Sequence, residues 1–169
     1  MQRRSLDFRD ADAVIADIRQ LHQGGYTKLG KWNLAQMCDH LRATLRVGLD
    51  GSDRRLPWIV RTAITGPIFR HVIKTRRMKT GLPVPKELVP TSPDGPDDPA
   101  AIEACIATLQ EARDATGPLP KHPVADLTVD QWKQVNWVHC AHHLSFLIPK
   151  AQPVAEAPAG VETASSGPP

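Results

Sequence analysis

The chain has 169 residues, 41% of them hydrophobic, and a formal net charge of +3 at pH 7. This length provides for one domain with a single core, and so small a net charge does not favour nucleic acid as a partner. Three widely spaced cysteines form neither a disulfide framework nor a CxxC metal motif, and no apolar run is long enough for a signal peptide or a membrane span. The composition therefore predicts a soluble cytoplasmic protein with no membrane association.

Two amphipathic helices are predicted in the first third of the chain. Apolar residues recur every three or four positions over residues 10–24. The second helix begins at a capping box formed by Asn33 and Gln36, and Gly48 and Gly51 are expected to mark its end. Each helix would bury one apolar face.

The middle of the chain is less regular. Residues 57–75 have a helical pattern, but Gly66 and Pro67 interrupt it and should kink or break the helix. The stretch 80–99 contains six prolines and predicts a long irregular loop. Because a loop of this length inside a compact domain is commonly functional, we interpret it as a candidate lid.

Two further helices follow. Helical periodicity resumes at about residue 100 and ends before Gly117. The last helix begins at a second capping box, formed by Thr128 and Gln131, and ends before Pro149. No strand is predicted.

Four principal helices without strands predict an all-α fold, an antiparallel up-and-down four-helix bundle. The bundle domain is predicted to span residues 1–150, with residues 55–79 as an inserted helical segment and the long proline-rich loop beside it. Residues 151–169 lack large apolar periodicity and are predicted to be a disordered tail rich in Pro, Ala and Ser.

Three histidines lie close together in the last helix, within WVHCAHHLSFL at residues 137–147. His139 and His143 share one face in the middle of the apolar stripe, with Cβ atoms about 5–6 Å apart, whereas His142 lies at its edge. His40 flanks the apolar face of the second helix and can face the same interior. Together His40, His139 and His143 would supply three nitrogen ligands to a divalent metal ion and leave a position for water or substrate.

The residues themselves leave other interpretations open. Buried histidines are commonly neutral core residues whose ring nitrogens bond to water or carboxylates. His142 could replace one of the paired histidines as a ligand. Cys38 or Cys140 could supply a thiolate, although free cysteines usually pack in the core. A fourth protein ligand would close the site and make the ion structural.

The segment from Arg54 to Lys86 contains nine Lys or Arg residues and no acidic residue. Such a run attracts a carboxylate- or phosphate-bearing substrate, an anionic lipid surface or nucleic acid, or it is a solvated face. We favour steering of a small anionic substrate. Its candidate contacts are Arg70, Lys74 and Arg77, with Trp132 as a candidate pocket wall.

Several segments resemble the DinB-like superfamily of four-helix-bundle metalloproteins, in a branch catalogued as a domain of unknown function. These segments are RRSLDF, LGKWNLAQMCDHL, RRMKTGLPVPKELVP and the terminal HHL, and the likeness runs from about residue 3 to residue 148. The resemblance implies an up-and-down bundle that holds a divalent metal on His40, His139 and His143. It also implies chemistry with low-molecular-weight thiols, because relatives include transferases and isomerases that use them. After the HHL pattern, Ser145 and Phe146 replace this branch's usual charged or amide residues.

The function hypothesis is a metal-dependent enzyme that activates water or a low-molecular-weight thiol for hydrolysis of, or transfer to, a small-molecule substrate. Three imidazoles do not distinguish among Zn, Ni, Fe and Mn. The alternative is a non-catalytic helical module for binding or oligomerisation, with a structural metal or none. Whether the protein forms a homodimer is left open.

Overall fold

A computed structural model describes residues 2–53, 55–81 and 84–150. The predicted disordered tail, residues 151–169, lies outside the described residues. The described chain is mostly helical, as the predicted all-α class requires, whereas the antiparallel four-helix bundle stays a prediction. The helices are α1 (Ala11–Gly24), α2 (Leu34–Asp50), α3 (Trp58–Val60), α4 (Gly66–Thr75), α5 (Pro99–Asp114) and α6 (Val129–Leu144). The other elements are a π-helical turn (Arg61–Thr65), a 3-10 turn (Lys86–Leu88) and the strands β1 (Tyr26–Lys28) and β2 (Leu147–Pro149).

Both predicted capping boxes are confirmed, and they start the two helices that carry the histidines. The Asn33 side chain accepts a hydrogen bond from the Gln36 backbone N–H, and the Gln36 side chain accepts one from the Asn33 backbone. Thr128 and Gln131 make the same reciprocal pair at the start of α6. Each pair satisfies two backbone donors that a helix N-terminus would otherwise leave free.

The core lies where α1, α2, α5 and α6 pack together. Helix α2 contacts α5 and α6, and α1 contacts the other three. Helix α6 has buried residues on nearly every side, including Trp132, Trp137 and Cys140, so it is the most enclosed of the four. None of the helices within residues 2–53, 55–81 and 84–150 is long and apolar enough to cross a membrane.

Gly48 does not end α2 as predicted; the helix continues to Asp50, and Gly51 follows at φ 73°. Gly48 instead allows a close approach between helices. A Cβ atom at this position would lie 2.0 Å from Nε1 of Trp132. The missing side chain therefore lets the indole of α6 pack directly against the backbone of α2.

A two-stranded antiparallel sheet, which the sequence pattern did not predict, joins the chain between α1 and α2 to the chain after α6. β1 pairs with β2, with Tyr26 opposite Pro149 and Lys28 opposite Leu147. Strands of three residues are too short to show a periodicity of two, which explains why no strand was predicted. The pairing holds the chain that leaves α6 next to the start of α2.

The predicted break at Gly66–Pro67 takes the form of a widened turn rather than an interruption. Residues 58–75 remain helical throughout, but residues Arg61–Thr65 are π-helical, and the Gly66 N–H bonds to the carbonyl of Arg61. Proline has no N–H and its ring clashes with the carbonyl four residues earlier, so one longer turn accommodates it without ending the helix.

The proline-rich segment is fastened along α2. Asp39 accepts hydrogen bonds from the Ser92 N–H, at 2.7 Å, and from Thr91. The Asn33 amide donates to the Gly95 carbonyl at 3.1 Å. Burial raises the pKa of Asp39, but the hydrogen bonds from Ser92 and Thr91 outweigh it and hold that pKa below its usual value. These contacts fix the backbone that passes beside His40.

Candidate metal centre

The structure brings together the three histidines that the sequence predicted as ligands. His40 lies on α2, and His139 and His143 lie one turn apart on α6. The Nε2 atom of His139 is 3.2 Å from Nε2 of His40 and 2.9 Å from Nε2 of His143. One nitrogen from each ring lies within 4.8 Å of the other two. Three potential nitrogen ligands therefore converge on one point between α2 and α6.

These separations agree with the size of a metal coordination sphere. Metal–nitrogen bonds of about 2.0–2.1 Å place two ligands about 3.3 Å apart at a tetrahedral angle and about 2.9 Å apart at a right angle. The two nitrogen–nitrogen distances measured from His139 fall at these values. The rings could thus hold an ion with little rearrangement, in tetrahedral or octahedral geometry.

Hydrogen bonds select the ring form of His40 that a metal needs. Its Nδ1 lies 2.7 Å from the carbonyl oxygen of Leu88, in the fastened proline-rich segment. A carbonyl can only accept, so Nδ1 carries the proton and Nε2 presents a lone pair. This is the arrangement in which metal-binding histidines are held and oriented by a backbone carbonyl.

His139 has a similar but weaker support from Thr44. The Thr44 hydroxyl donates to the Leu41 carbonyl at 2.8 Å, which leaves its oxygen free to accept from Nδ1 of His139 at 3.5 Å. With its proton on Nδ1, His139 would also present the lone pair of its Nε2 towards that of His40. Two lone pairs facing each other at 3.2 Å repel unless a cation lies between them.

The sequence predicted that His139 and His143 lie in the middle of a buried apolar stripe. In the structure the cluster lies instead at the edge of the core. His40 is 3% exposed, whereas His139 and His143 are half-buried. The side of α6 that carries His139 and His143 is therefore not fully covered. Part of the site is accessible to solvent.

Trp32, which the sequence analysis did not assign to the site, forms a wall of the cluster. Its ring stacks on His143, with centroids 5.7 Å apart and planes at 18°, and lies 5.1 Å from the ring of His40. The signal available was its position just before α2 begins. Trp132, predicted as a pocket wall, is instead packed in the core and only 1% exposed.

All three imidazoles are neutral at neutral pH. Burial, and next the neighbouring His40, lower the pKa of His139 to about 3. Burial also lowers the pKa values of His143 and of His40, although the Leu88 carbonyl acts in the opposite direction on His40. Neutral imidazole is the form that binds metal.

The alternative ligands lie elsewhere. The ring of His142 is perpendicular to that of His143 with centroids 5.1 Å apart, and it lines a separate cavity. Cys38 is buried beside Cys105. A hydrogen bond with Cys105, together with burial, raises the pKa of the Cys38 thiol well above its usual value. Burial does the same for Cys140. Within the described ranges, the three-histidine cluster is the only group of at least three metal-type side chains with suitable spacing.

The three predicted substrate contacts from the basic segment separate in the structure. Arg70 and Lys74 are exposed on α4 and line neither the cavity that contains His142 nor the one that contains Asp39. Arg77 lines a cavity of about 230 Å³ whose wall includes His142. Arg77 is therefore separated from Arg70 and Lys74 in this respect, and steering of an anionic substrate by the basic segment stays a prediction.

The sequence profile of a family described as "Protein of unknown function (DUF1569)" matches residues 1–150. The chain belongs to the DUF1569 family. No curated protein and no solved structure matches it. The family match covers all the residues of the histidine cluster, and the resemblance of this DUF1569 protein to the DinB-like superfamily stays a prediction.

Proposed function

We propose that this DUF1569 protein binds one divalent metal ion through Nε2 of His40, His139 and His143 and is a metal-dependent enzyme acting on a small molecule. The observation that carries the proposal is the pair of Nε2 atoms 3.2 Å apart, one of them held as an acceptor by the Leu88 carbonyl. A protein gains nothing from opposing two lone pairs in this way unless a cation joins them. Zn, Ni, Fe and Mn all accept imidazole ligands.

The chain's own groups would prepare such an ion for catalysis. Three neutral ligands leave a divalent ion its full charge, with which it lowers the pKa of a bound water or thiol. The Leu88 carbonyl increases the basicity of His40 and fixes its ring. Trp32 packs against the cluster, and because His139 and His143 are only half-buried, a substrate would be able to reach them. The reactions consistent with this site are hydrolysis and transfer of a low-molecular-weight thiol.

The composition of the cluster, three histidines and no fourth protein ligand among the described residues, supports catalysis over a purely structural ion. A structural zinc site is normally closed by four protein ligands. His142 and Cys38, the two residues that could close it, lie outside the cluster in the described chain. The proposed architecture around the site is the antiparallel four-helix bundle of the DinB-like superfamily, in which facing helices commonly present metal ligands to the interior.

Metal content tests the proposal. Untagged protein should copurify with an equimolar divalent ion, measured by plasma mass spectrometry, and His139→Ala and His143→Ala should each lose most of it. His22→Ala, an exposed histidine on α1, is the matched control and should retain the ion. An unchanged metal content in both cluster variants would remove the site.

Cobalt substitution then separates the enzyme from the structural alternative. An open site exchanges its non-protein ligand, so added thiol should change the visible absorption of the cobalt protein. A spectrum of four protein ligands that no thiol perturbs would end the enzyme proposal and favour the non-catalytic module.

A further inference from the structure

A cationic cavity lies on the other side of His142 from the histidine cluster. It has a volume of about 230 Å³ and is lined by the N-terminal arm, the chain after α4 and the end of α6. Four arginines line it and no acidic residue does, and these are Arg3, Arg4, Arg76 and Arg77. Its volume is below the roughly 300–1,000 Å³ of drug-sized pockets but far above the space that one water needs. It suits a single charged group.

Two of these arginines are neutralised and two are not. Arg4 makes a bidentate ion pair with Asp17, with N–O distances of 2.6 and 2.8 Å, and Arg76 makes an ion pair with Asp7 at 2.9 Å. Arg3 and Arg77 form no ion pair with any carboxylate in the described chain. The cavity thus has an excess of positive charge, which attracts an anion.

Arg3 is held in position by contacts that leave its charge unbalanced. Its Nε and Nη2 donate to the Ser145 hydroxyl at 3.1 and 2.7 Å, and Nη2 also donates to the His142 carbonyl. Its guanidinium lies 3.8 Å above the centroid of the Phe146 ring. A fixed and partly buried guanidinium without a carboxylate partner is the typical recognition group for a carboxylate or phosphate. Ser145 and Phe146 therefore have a role in orienting Arg3.

We propose that this cavity binds the carboxylate or phosphate group of a small molecule through Arg3 and Arg77. The cavity lies next to the histidine cluster, because His142 in its wall is the chain neighbour of His143 and their rings lie 5.1 Å apart. The further assignment, that the bound anion is part of the enzyme's substrate, rests on the proposed function. The substrate class is then a small anion whose reactive part extends towards the histidine cluster. Anion binding itself requires no metal.

Titration with inorganic phosphate tests the cavity, by calorimetry and by thermal shift against chloride at equal ionic strength. Phosphate should bind the wild-type protein, and Arg77→Gln, whose side chain is exposed and free of ion pairs, should weaken it roughly tenfold or more. Arg3→Gln should do the same, and Arg19→Gln on α1 should leave the affinity unchanged. His139→Ala should bind phosphate with unchanged affinity. The proposals of an anion site and of a metal site can therefore be refuted independently of each other. Equal effects of phosphate and chloride, or normal phosphate binding by Arg77→Gln and Arg3→Gln, would overturn the proposal.

A second surface, independent of the cavity, is formed by exposed apolar side chains in the segment that precedes Arg76 and Arg77. Of the six large apolar side chains exposed in the described chain, five are concentrated between residues 56 and 68. They are Leu56, Trp58, Ile59, Ile64 and Ile68, with Trp58 66% exposed. The π-helical turn Arg61–Thr65 lies within this stretch. An exposed cluster of this kind marks an interaction site.

Unpaired cations also occur along α4 and just beyond it. Arg70, Lys74 and Lys79 are exposed and make no ion pair within residues 55–81 or with the rest of the described chain. No acidic residue occurs from position 54 to position 86. A second copy of the chain would bring the same cations together, and like charges repel, so the charge favours an anionic partner.

We infer that residues 56–79 bind the surface of an anionic lipid bilayer, contrary to the sequence-based expectation of no membrane association. The isoleucines would enter the boundary of the acyl chains, Trp58 would lie at the level of the headgroups, and the cations would contact lipid phosphates. This is peripheral binding by an amphipathic helix.

Co-sedimentation with vesicles tests this inference. The protein should bind vesicles of phosphatidylcholine mixed with phosphatidylglycerol and not vesicles of phosphatidylcholine alone, and Trp58→Phe should remove the accompanying blue shift of tryptophan fluorescence. Ile64→Gln with Ile68→Gln should abolish binding, whereas Val89→Gln, at an apolar side chain exposed elsewhere, should not. Loss of the three cations should weaken partitioning on the order of a hundredfold, against a control that removes Arg19, Lys31 and Lys121. Absence of vesicle binding, or self-association through the apolar side chains in its place, would overturn the inference.

Discussion

Replacing Gly48 by alanine should destabilise the fold, although the same change inside an exposed helix is normally favourable by about 1 kcal/mol. The new Cβ would lie 2.0, 2.5 and 2.8 Å from three atoms of the Trp132 indole, where ordinary contacts are 3.4–4 Å. The indole would have to retreat by more than an ångström, but it is 1% exposed and enclosed by the core. Overpacking of this kind costs about 1–3 kcal/mol, and so severe an overlap belongs at the upper end. We expect a net loss of about 2 kcal/mol.

Urea denaturation followed by circular dichroism measures this change, provided that the slope of the transition stays constant. A matched pair of variants isolates the cause. In a Trp132→Leu background the overlapping indole is gone, so adding Gly48→Ala should recover the stabilising effect of alanine in a helix. If Gly48→Ala stabilises the otherwise wild-type protein, the close approach of α2 and α6 described here is incorrect, and with it the spacing that brings His40 to His139.

Two further predictions concern charge. Asp17→Asn should lower the free energy of unfolding by on the order of 3 kcal/mol, because it leaves the mostly buried guanidinium of Arg4 without its charged partner. The control is Asp94→Asn, which breaks the exposed ion pair with Lys28. In the same urea titration it should cost less than about 1 kcal/mol. Burial lowers the pKa of His122 from 6.5 to about 4, so between these pH values only the unfolded chain takes up the proton, and this contribution to stability falls as the pH falls. Its slope is at most about 1.4 kcal/mol per pH unit; His122→Gln should flatten the acid side of the stability profile, and an unchanged profile would contradict the shift.

Local signals in the sequence predicted the features that depend on near neighbours along the chain. Capping boxes need residues only three apart, so Asn33 and Thr128 were located correctly. The His139/His143 pair needs only the helical period. His40 required packing information as well: its position beside the apolar face of α2 predicted only that it can face the interior, and the resemblance to the DinB-like superfamily implied that it is the third ligand.

The features that the sequence analysis missed depend on long-range packing. The carbonyl that orients His40 belongs to the backbone of Leu88, and a backbone contact of this kind cannot be predicted from the type of side chain. Arg3 reaches Ser145 because the N-terminal arm bonds to the end of α6, a long-range contact that neither composition nor periodicity could predict. Gly48 looked like a helix end because glycine commonly follows helices, whereas here it serves a helix–helix contact.

The central claim is that three ring nitrogens hold one ion, and anomalous X-ray scattering from crystals of untagged protein tests it most directly. Data collected on both sides of the absorption edge of the bound metal should show one peak within about 2.0–2.2 Å of Nε2 of His40, His139 and His143. A metal-replete protein whose anomalous peak lies elsewhere, or whose three rings surround only water, would contradict the proposed site.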